Sequence, residues 1–301
     1  MLNFLPGPVL GSISFMLYVI NTLVCASLLF PLALIKLIVP SQPWRNACNR
    51  VLNELGLYWI ALNNANLVFT KKITWDVSGI EGLDPDEWYL VLSNHQSWVD
   101  ILVLQKVFHR KIPFLKFFLK KELIWVPIMG LAWWALEFPF MKRHTAEYLK
   151  KHPEHAGKDL EITKKACERF KKMPISVMNF VEGTRFTLQK HKRQKSPYSN
   201  LLRPKAGGVA FVLSAMGDQL HYILDVTIVY PCGVMSFWEF LCAGKNEIIV
   251  RVEALPVTND LIGDYSDDPV FRDNFQLWLN GLWTKKDIFI EELCREKKMA
   301  A

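Results

Sequence analysis

The chain has 301 residues, half of them apolar, and a formal net charge of +7. This composition excludes a globally disordered protein, and the length allows one large core, or one core with an accessory module. The positive charge indicates an anionic partner such as lipid head groups, phosphorylated substrates or nucleic acid. The six cysteines contain no CxxC pair, which argues against a zinc site and against a disulfide framework.

The N-terminal segment is apolar and free of charge up to Lys36. A run of this length is sufficient to cross a bilayer, which takes about 20 residues. Basic residues follow it, so the positive-inside rule places the rest of the chain in the cytoplasm. Pro31 leaves a second geometry open, in which the run forms a bent hairpin with residues 46–69 and enters one leaflet. We therefore predict a membrane-anchoring helix or helical hairpin over residues 1–70.

From residue 71 onward the pattern is that of a globular α/β domain. Alternation and turn residues predict strands in five segments, namely ITWDVSGIEGL, WYLVLSN, PISVMNFVEGTRF, ILDVTIVYP and EIIVRVEALPV. Helical spacing predicts helices from near Ser97, over residues 157–173, in KAGGVAFVLSAMG and over residues 268–298. Strands that alternate with helices indicate a three-layer α/β domain with a central mixed sheet over residues 71–301.

The segment SNHQSWVD interrupts two apolar runs with polar side chains. His95 and Asp100 follow the carboxyl end of a predicted strand, where open α/β sheets place ligands. A carboxylate that faces the imidazole fixes its tautomer and leaves the other ring nitrogen free to take a proton. A structural explanation is open too, because Ser97 and Asp100 have the spacing of a capping box at the start of a helix.

The segment FVEGTRF follows another predicted strand and so lies at the same edge of the sheet. Glu182 can accept hydrogen bonds from hydroxyls, Gly183 allows close backbone approach, and Arg185 offers a bidentate fork for phosphate. A solvated surface turn is the alternative explanation of these residues.

Two stretches are basic and contain no acid. Residues 106–121, KVFHRKIPFLKFFLKK, interleave six Lys or Arg with phenylalanines, and residues 183–217 carry seven more Lys or Arg. A charge run is usually a solvated face, but the interleaved aromatic residues predict a surface that meets anionic lipid or phosphate.

Five motifs occur in order along the chain. They are N-H-x4-D, K-x-E-L-x-x-x-P-x-x-G from Lys120, F-P-F-M-K-R ending at Arg143, F-V-E-G-T-R, and V-T-I-V-Y-P ending at Pro231. Together they resemble the four-motif pattern of the PlsC-like glycerophospholipid acyltransferase superfamily, in which the segments that contain Lys120 and Arg143 count as one motif, the second. F-V-E-G-T-R is then the third motif and V-T-I-V-Y-P the fourth, and the wider sequence is similar to the bacterial inner-membrane members of the superfamily. The resemblance implies an enzyme that moves a fatty-acyl group from a thioester to the sn-2 hydroxyl of lysophosphatidate, giving phosphatidate.

The resemblance also implies a function for each motif residue. His95 is the general base, Asp100 orients it, and Asn94 belongs to the same substrate-contacting motif. The second motif, with Lys120 and Arg143, adds to phosphate or thioester binding, and Pro231 shapes the acyl site. The glycerol phosphate of the acceptor is bound by the residues of the third motif, Glu182, Gly183, Thr184 and Arg185.

The implied partners are membrane lipid, a lysophospholipid and acyl-CoA or acyl carrier protein, with no metal, cofactor or nucleic acid. The implied location is the bacterial inner membrane, with the catalytic domain facing the cytoplasm. Backbone N–H groups near Ser97 or Gly183 are candidates to bind the oxyanion. No G-x-S-x-G is present, so we expect direct transfer without an acyl-enzyme. Two alternatives are a remodelling enzyme that accepts a larger head group and a non-catalytic protein that binds anionic lipid.

Overall fold

The structure is a computed structural model and describes residues 2, 4–141, 167–168 and 173–300. Arg143 lies outside the described residues, as does most of the helix predicted over residues 157–173.

Helices and strands alternate after an N-terminal pair of long helices. In chain order they are α1 (Gly7–Ile38), α2 (Gln42–Thr70), β1 (Lys72–Ser78), β2 (Tyr89–Ser93), α3 (Val99–Phe108), β3 (Leu115–Phe117), β4 (Leu119–Lys120), a 3₁₀ helix (Lys121–Trp125), α4 (Met129–Ala135), β5 (Phe140–Met141), β6 (Ser176–Phe180), α5 (Leu188–Gln194), α6 (Ala206–Met216), β7 (Tyr222–Val229), α7 (Phe237–Cys242), β8 (Lys245–Pro256), a 3₁₀ helix (Asn259–Leu261) and α8 (Pro269–Ala300). The five strands predicted from the sequence are confirmed as β1, β2, β6, β7 and β8. The helices predicted near Ser97, in KAGGVAFVLSAMG and at the C-terminal end are confirmed as α3, α6 and α8.

A six-stranded sheet forms the centre of the domain, in the order β1-β8-β7-β2-β6-β3. The β7–β8 pair is antiparallel, and the other neighbouring pairs are parallel, so the sheet is mixed as predicted. Because β2, β6 and β7 are mutually parallel neighbours, their carboxyl ends meet at one edge. The loops that follow them there carry three of the sequence motifs, and this edge is where open α/β sheets place their sites.

Helices cover both faces of the sheet. Leu90 and Leu92 of β2 pack in one apolar cluster with residues of α6 and α8, whereas Tyr89 and Val91 pack in another with residues of α3 and α7. This alternation follows from the period of two along a strand, which sends successive side chains to opposite faces. Every residue of β2 is buried, as is typical of a parallel strand covered on both sides. The predicted three-layer arrangement is confirmed.

The two N-terminal helices form a hairpin that lies along the domain. Residues 39–41 join α1 to α2, and asparagines hold the helices in register. Asn21 Nδ2 donates to Asn63 Oδ1 at 2.7 Å, and Asn66 Nδ2 donates to the carbonyl oxygen of Ser14 at 3.0 Å. Helix α1 is the one described helix that is long and apolar enough to cross a membrane. Two antiparallel helices are thus observed, and their position in a membrane, as a full span or within one leaflet, stays a prediction.

Both ends of α1 contact the domain. Near its start, a Cβ added at Gly11 would lie 2.6 Å from Cys242 Sγ of α7, so this glycine permits a close packing of the two helices. At its end, Lys36 Nζ lies 2.6 Å from Glu137 Oε1. Helix α1 therefore packs against the domain near both of its ends.

Candidate active site

The histidine and the aspartate of the first motif are in hydrogen-bonding contact. Residues 94–98 lead from the end of β2 to the start of α3, and His95 Nδ1 lies 2.8 Å from Asp100 Oδ2. Because the carboxylate accepts this bond, Nδ1 carries the hydrogen and Nε2 keeps its lone pair for an incoming proton. The contact predicted from the spacing is confirmed, and its geometry suits general-base chemistry.

Asp100 is fully buried and accepts hydrogen bonds from three further groups. The backbone N–H groups of Gln96 and Ser97 donate to Oδ2 at 2.6 Å and 2.9 Å, and the hydroxyl of Tyr230 donates to Oδ1 at 2.6 Å. The Ser97 bond is one half of the predicted capping box. In the other half, Ser97 Oγ accepts from the N–H of Val99 at 3.2 Å rather than from that of Asp100. The helix start therefore helps to fix the carboxylate that orients His95.

The ring of His95 is also fixed by stacking. Its centroid lies 3.9 Å from that of Phe180, the last residue of β6, with 13° between the ring planes. Both rings line an apolar cavity of about 260 Å³. Phe180 is the first residue of the F-V-E-G-T-R motif, but the motif implies no function for it, and only the pairing of β2 with β6 aligns it with His95.

The apolar cavity lies between the hairpin and the domain. Helices α1, α2 and α4 contribute Leu29, Trp59 and Ala132 to its walls, and the segment around β3 contributes Phe114, Phe117 and Phe118. We predicted that the aromatic residues of the basic stretch face lipid, and for residues 114–118 this is wrong. The hairpin covers the β3 edge of the sheet, so these aromatic side chains turn inward. An extended apolar group that enters this cavity can reach His95.

Glu182 is completely buried and joins two loops of the site. Its Oε1 accepts from the backbone N–H of His95 at 3.4 Å, and its Oε2 accepts from that of Leu202 at 3.3 Å. Burial raises the pKa of this carboxyl to about 8, although both backbone donors act in the opposite direction. Glu182 is expected to bind acceptor hydroxyls on the strength of the resemblance, but its contacts are those of a residue that positions the His95 loop.

Gly183 forms the turn that follows Glu182. Its φ of 68° lies in the left-handed region that favours glycine, and its N–H donates to the carbonyl oxygen of Phe180 at 2.8 Å. A Cβ at this position would lie 3.1 Å from Lys205 Nζ. The glycine thus allows both the turn and the close approach of a lysine side chain.

Positive charge gathers beside the third motif. Lys190 Nζ donates to Thr184 Oγ1 at 2.8 Å and to the carbonyl oxygen of Arg185 at 2.9 Å. The Arg185 guanidinium lies 4.8 Å from the ring centroid of Trp98, a cation–π contact that holds it next to the first motif. The pKa of Lys190 is lowered by desolvation and then by nearby cations. The cations that act on Lys190 are Arg185, Arg193 and Lys120, and we call these four residues the cationic cluster.

Lys190 was counted in the acid-free stretch of the sequence but was given no place in the site. The sequence did contain an indication of this function, because Lys190 follows Thr184 by only six positions and lies in the first turn of α5. Only the turn of the chain at residues 183–187 brings its ammonium group back to the motif. Lys120 was assigned to phosphate or thioester binding, and its position in the cationic cluster is compatible with either.

Of three further residues named by the motifs, two make their contacts elsewhere in the described structure. Asn94 is buried, and its amide pairs with the backbone of Ile228 through Nδ2 and Oδ1, both at 2.9 Å. We therefore infer that Asn94 joins β2 to β7 instead of touching substrate. Pro231 follows Tyr230 in a turn closed by the Gly233 N–H, and the residue of this motif that contacts the dyad is Tyr230. The third, Arg143, is not among the described residues.

The two predicted oxyanion donors are already engaged. The N–H of Ser97 donates to Asp100, and the N–H of Gly183 donates to the carbonyl oxygen of Phe180. In the conformation described, these two amides serve the turns that contain them, and the expectation that an N–H group near Ser97 or Gly183 binds the oxyanion stays a prediction.

Comparisons with known proteins agree with this fold. The family model described as Acyltransferase matches residues 74–235, over half of the chain, and the chain belongs to this family. The crystal structure of the 1-acyl-sn-glycerophosphate (LPA) acyltransferase PlsC from Thermotoga maritima is similar with a TM-score of 0.55 and 15% identity, over 95% of each chain. That likeness shows the fold, a PlsC-like acyltransferase domain.

Curated relatives carry more specific names. The chain is 25% identical to lysocardiolipin acyltransferase 1 of Danio rerio over 277 residues, which are 86% of this chain and 65% of the relative. It is 30% identical to 1-acyl-sn-glycerol-3-phosphate acyltransferase 3 of Arabidopsis thaliana over 223 residues, which are 67% of this chain and 55% of the relative. The chain thus spans less than two thirds of these relatives.

Proposed function

We propose that this protein transfers a fatty-acyl group from an acyl thioester to the sn-2 hydroxyl of lysophosphatidate, giving phosphatidate. The observation that carries the proposal is the position of the His95–Asp100 dyad, which lies at an apolar cavity on one side and near a cationic cluster on the other. The cavity suits a fatty-acyl chain, and the cations suit a phosphate monoester. The dyad supplies the base that such a reaction requires.

The chemistry needs one acyl transfer and two proton transfers, one from the acceptor hydroxyl to His95 and one from the His95 imidazolium to the leaving thiolate. His95 Nε2 takes the proton of the acceptor hydroxyl as the oxygen attacks the thioester carbonyl carbon. The tetrahedral intermediate then collapses, the carbon–sulfur bond breaks, and the thiolate leaves and takes up a proton. Asp100 stabilises the imidazolium that forms between these steps, and base catalysis of this type contributes about 10²–10⁴-fold. The acyl group passes directly to the acceptor.

The cationic cluster supports lysophosphatidate as the acceptor. Arg185 presents a planar fork suited to two phosphate oxygens, and its stacking on Trp98 lowers the entropy lost on binding. A lysophospholipid with a larger head group is the second candidate, favoured by the similarity to a relative named lysocardiolipin acyltransferase. We propose acyl-CoA or acyl carrier protein as the donor, both of which are anionic thioester carriers.

Membrane attachment is part of the same proposal. Helix α1 exposes a wide apolar surface, to which Phe15, Ile20, Leu28 and Ile38 contribute. A hairpin that lies in the interface of one leaflet would bury this surface in lipid and bring both insoluble acyl chains to the cavity. We propose the cytoplasmic leaflet of a bacterial inner membrane as its location.

The test uses purified protein in liposomes with radiolabelled oleoyl-CoA and lysophosphatidate. We expect His95→Ala to lose at least about a hundredfold in kcat. The control is His221→Ala, which removes an exposed histidine that pairs with Glu87 on the surface, and it should keep wild-type activity. If His95→Ala keeps the activity of the control, the dyad is not the base. If lysocardiolipin or another lysolipid outcompetes lysophosphatidate in the wild type, the second candidate for the acceptor is correct.

A further inference from the structure

An uncharged run of 14 residues, 123–136, follows Lys120, Lys121 and Glu122. It contains the end of the first 3₁₀ helix and the whole of α4. An apolar run of about this length is typical either of a core helix or of a segment that lies in the interface of a membrane. We call residues 123–136 the apolar segment, and its burial decides between these two explanations.

One side of the apolar segment is exposed. Trp125 is 85% exposed, and Leu131 and Trp134 are 55% and 48% exposed. A core helix buries its large side chains, so the segment as a whole is not a core helix. An exposed apolar patch marks a surface that contacts another apolar body, and tryptophan is enriched where proteins meet the interface of a bilayer.

The other side of the apolar segment lines the apolar cavity of the active site. Leu123, Met129 and Ala132 belong to its wall, together with Cys25 and Leu29 of α1. Residues that line the cavity and residues that are exposed thus alternate within the same short segment. The segment therefore has the cavity on one side and the exposed patch on the other.

The tip of the apolar segment is a tight turn. Ile128 has φ 64° and ψ −56°, and the N–H of Met129 donates to the carbonyl oxygen of Pro127 at 2.6 Å, which is the rare and strained form of a γ-turn. A Cβ added at Gly130 would lie 2.0 Å from the carbonyl oxygen of Ile124, so two parts of the backbone approach closely here. Strained backbone persists where the surrounding structure fixes it, and it clusters at functional sites. The exposed tip is therefore held in place.

The turn also pairs its own backbone groups. The N–H groups of Val126, Gly130 and Ala132 donate at 3.1, 2.8 and 2.9 Å to carbonyl oxygens within the segment, and Pro127 has no N–H. A segment that enters lipid needs such internal pairing, because no water replaces a missing hydrogen bond there. The backbone of the turn is therefore suited to insertion.

The exposed patch is continuous with the apolar surface of α1. Ala135 of the segment packs in one cluster with Leu29 and Ala33 of α1. Beside this contact, α1 exposes Leu28 and Leu34. A protein partner of the segment would leave the surface of α1 in water, whereas a lipid leaflet covers both surfaces at once.

Charged side chains flank the apolar segment without interrupting it. Lys120, Lys121 and Glu122 are exposed at its start, and at its end Glu137 pairs with Lys36 at 2.6 Å. Lysines at the border of an apolar surface favour the anionic head groups of a membrane. A leaflet thus matches the patch and the lysines next to it.

We propose that the apolar segment is a second membrane-inserted element, which enters the leaflet that holds the hairpin and places Trp125, Val126 and Leu131 among the lipid acyl chains. Lys120 and Lys121 then lie at the level of the lipid phosphates. This inference deepens the proposed function and rests on its membrane part. It places the apolar cavity, which the segment separates from lipid, at the depth from which the acyl chains of the substrates arrive.

The experiment maps the contact with lipid residue by residue. The full chain is reconstituted in liposomes of phosphatidylethanolamine and phosphatidylglycerol that contain a phosphatidylcholine with a diazirine in one acyl chain. After illumination, mass spectrometry locates the lipid adducts. Trp125→Glu is the test variant, because it places a charge in the patch. Leu277→Glu is the matched control, since Leu277 is 67% exposed on α8, and α8 covers the face of the sheet opposite to α7, the helix that α1 contacts.

In the wild type we expect adducts on α1 and on residues 125–134, with only background labelling around Leu277. In Trp125→Glu the adducts on residues 126–134 should fall at least about tenfold, because a carboxylate is costly in hydrocarbon and withdraws the tip. The adducts on α1 should remain, which also shows that the variant is folded. Leu277→Glu should be labelled like the wild type.

The proposal is overturned if α1 is labelled and the apolar segment is labelled no more than the surroundings of Leu277. It is also overturned if the segment is unlabelled and the wild type is a dimer that Trp125→Glu dissociates, because the patch is then an interface between two copies of the chain. Labelling requires no acyl transfer. A protein that is labelled as expected but transfers no acyl group would refute the proposed reaction and leave this inference intact.

Discussion

Tyr230→Phe tests whether the fourth motif acts on the dyad. The substitution removes only the hydroxyl that donates to Asp100 Oδ1 at 2.6 Å, at a position that is 6% exposed. A hydrogen bond to a charged group contributes about 1.5–3 kcal/mol. Because the site is buried, no solvent replaces the lost donor, so we expect the free energy of unfolding to fall by about this amount.

The same substitution is expected to slow the reaction. If all of this free energy were expressed in the transition state, kcat would fall by roughly 10- to 150-fold. Oδ2 keeps its three donors, from His95, Gln96 and Ser97, so the carboxylate retains most of its orientation. We therefore expect a decrease of about tenfold in kcat, with little change in KM for the acceptor.

The assay compares Tyr230→Phe with Tyr198→Phe in acyl transfer and in thermal unfolding. Tyr198 is also buried, but its hydroxyl donates to a neutral carbonyl oxygen, that of Asn280, at 3.4 Å. Loss of the Tyr198 hydroxyl should lower the free energy of unfolding by less than loss of the Tyr230 hydroxyl, and it should leave kcat unchanged. The reasoning is refuted if Tyr230→Phe keeps kcat within twofold of wild type, since Tyr230 would then only pack against Asp100.

Three further substitutions have defined outcomes. The pKa of Glu182 is raised to about 8, so the folded protein keeps a proton that the unfolded chain releases near pH 4.5, and the free energy of unfolding should fall as pH rises between these values. In Glu182→Gln the unfolding temperature should therefore depend less on pH. An unchanged dependence would show that Glu182 is not its origin. Arg185→Lys keeps the positive charge but loses the planar guanidinium fork and its stacking on Trp98. Steady-state kinetics should therefore show the KM for lysophosphatidate rising about tenfold. An unchanged KM would mean that Arg185 does not bind the phosphate. Ala132→Phe fills part of the apolar cavity. The ratio of kcat/KM for palmitoyl-CoA to kcat/KM for octanoyl-CoA should therefore fall at least about tenfold. An unchanged ratio would mean that the acyl chain lies outside this cavity.

Local patterns were sufficient to predict the layout of the domain. Strands β1, β2, β6, β7 and β8 and helices α3, α6 and α8 follow from alternation, helical spacing and turn residues, which act over a few neighbouring positions. The His95–Asp100 contact was predictable for the same reason, because both residues lie within one turn between a strand and a helix. The apolar length of α1 was equally plain, since a count of uncharged residues requires no tertiary information.

Long-range packing decided the rest. The spacing of residues does not show that Phe180 stacks on His95, that Tyr230 donates to Asp100, or that Asn94 joins two strands, since each contact depends on which strands are neighbours in the sheet. The apolar cavity depends on the hairpin, because the hairpin packs along the domain and the aromatic side chains of residues 114–118 point inward beneath it. The sequence alone therefore determined five of the six strands of the central sheet, three helices of the domain, the dyad and the family pattern. Only the tertiary structure decided the surroundings of the dyad, because those contacts join residues up to 134 positions apart.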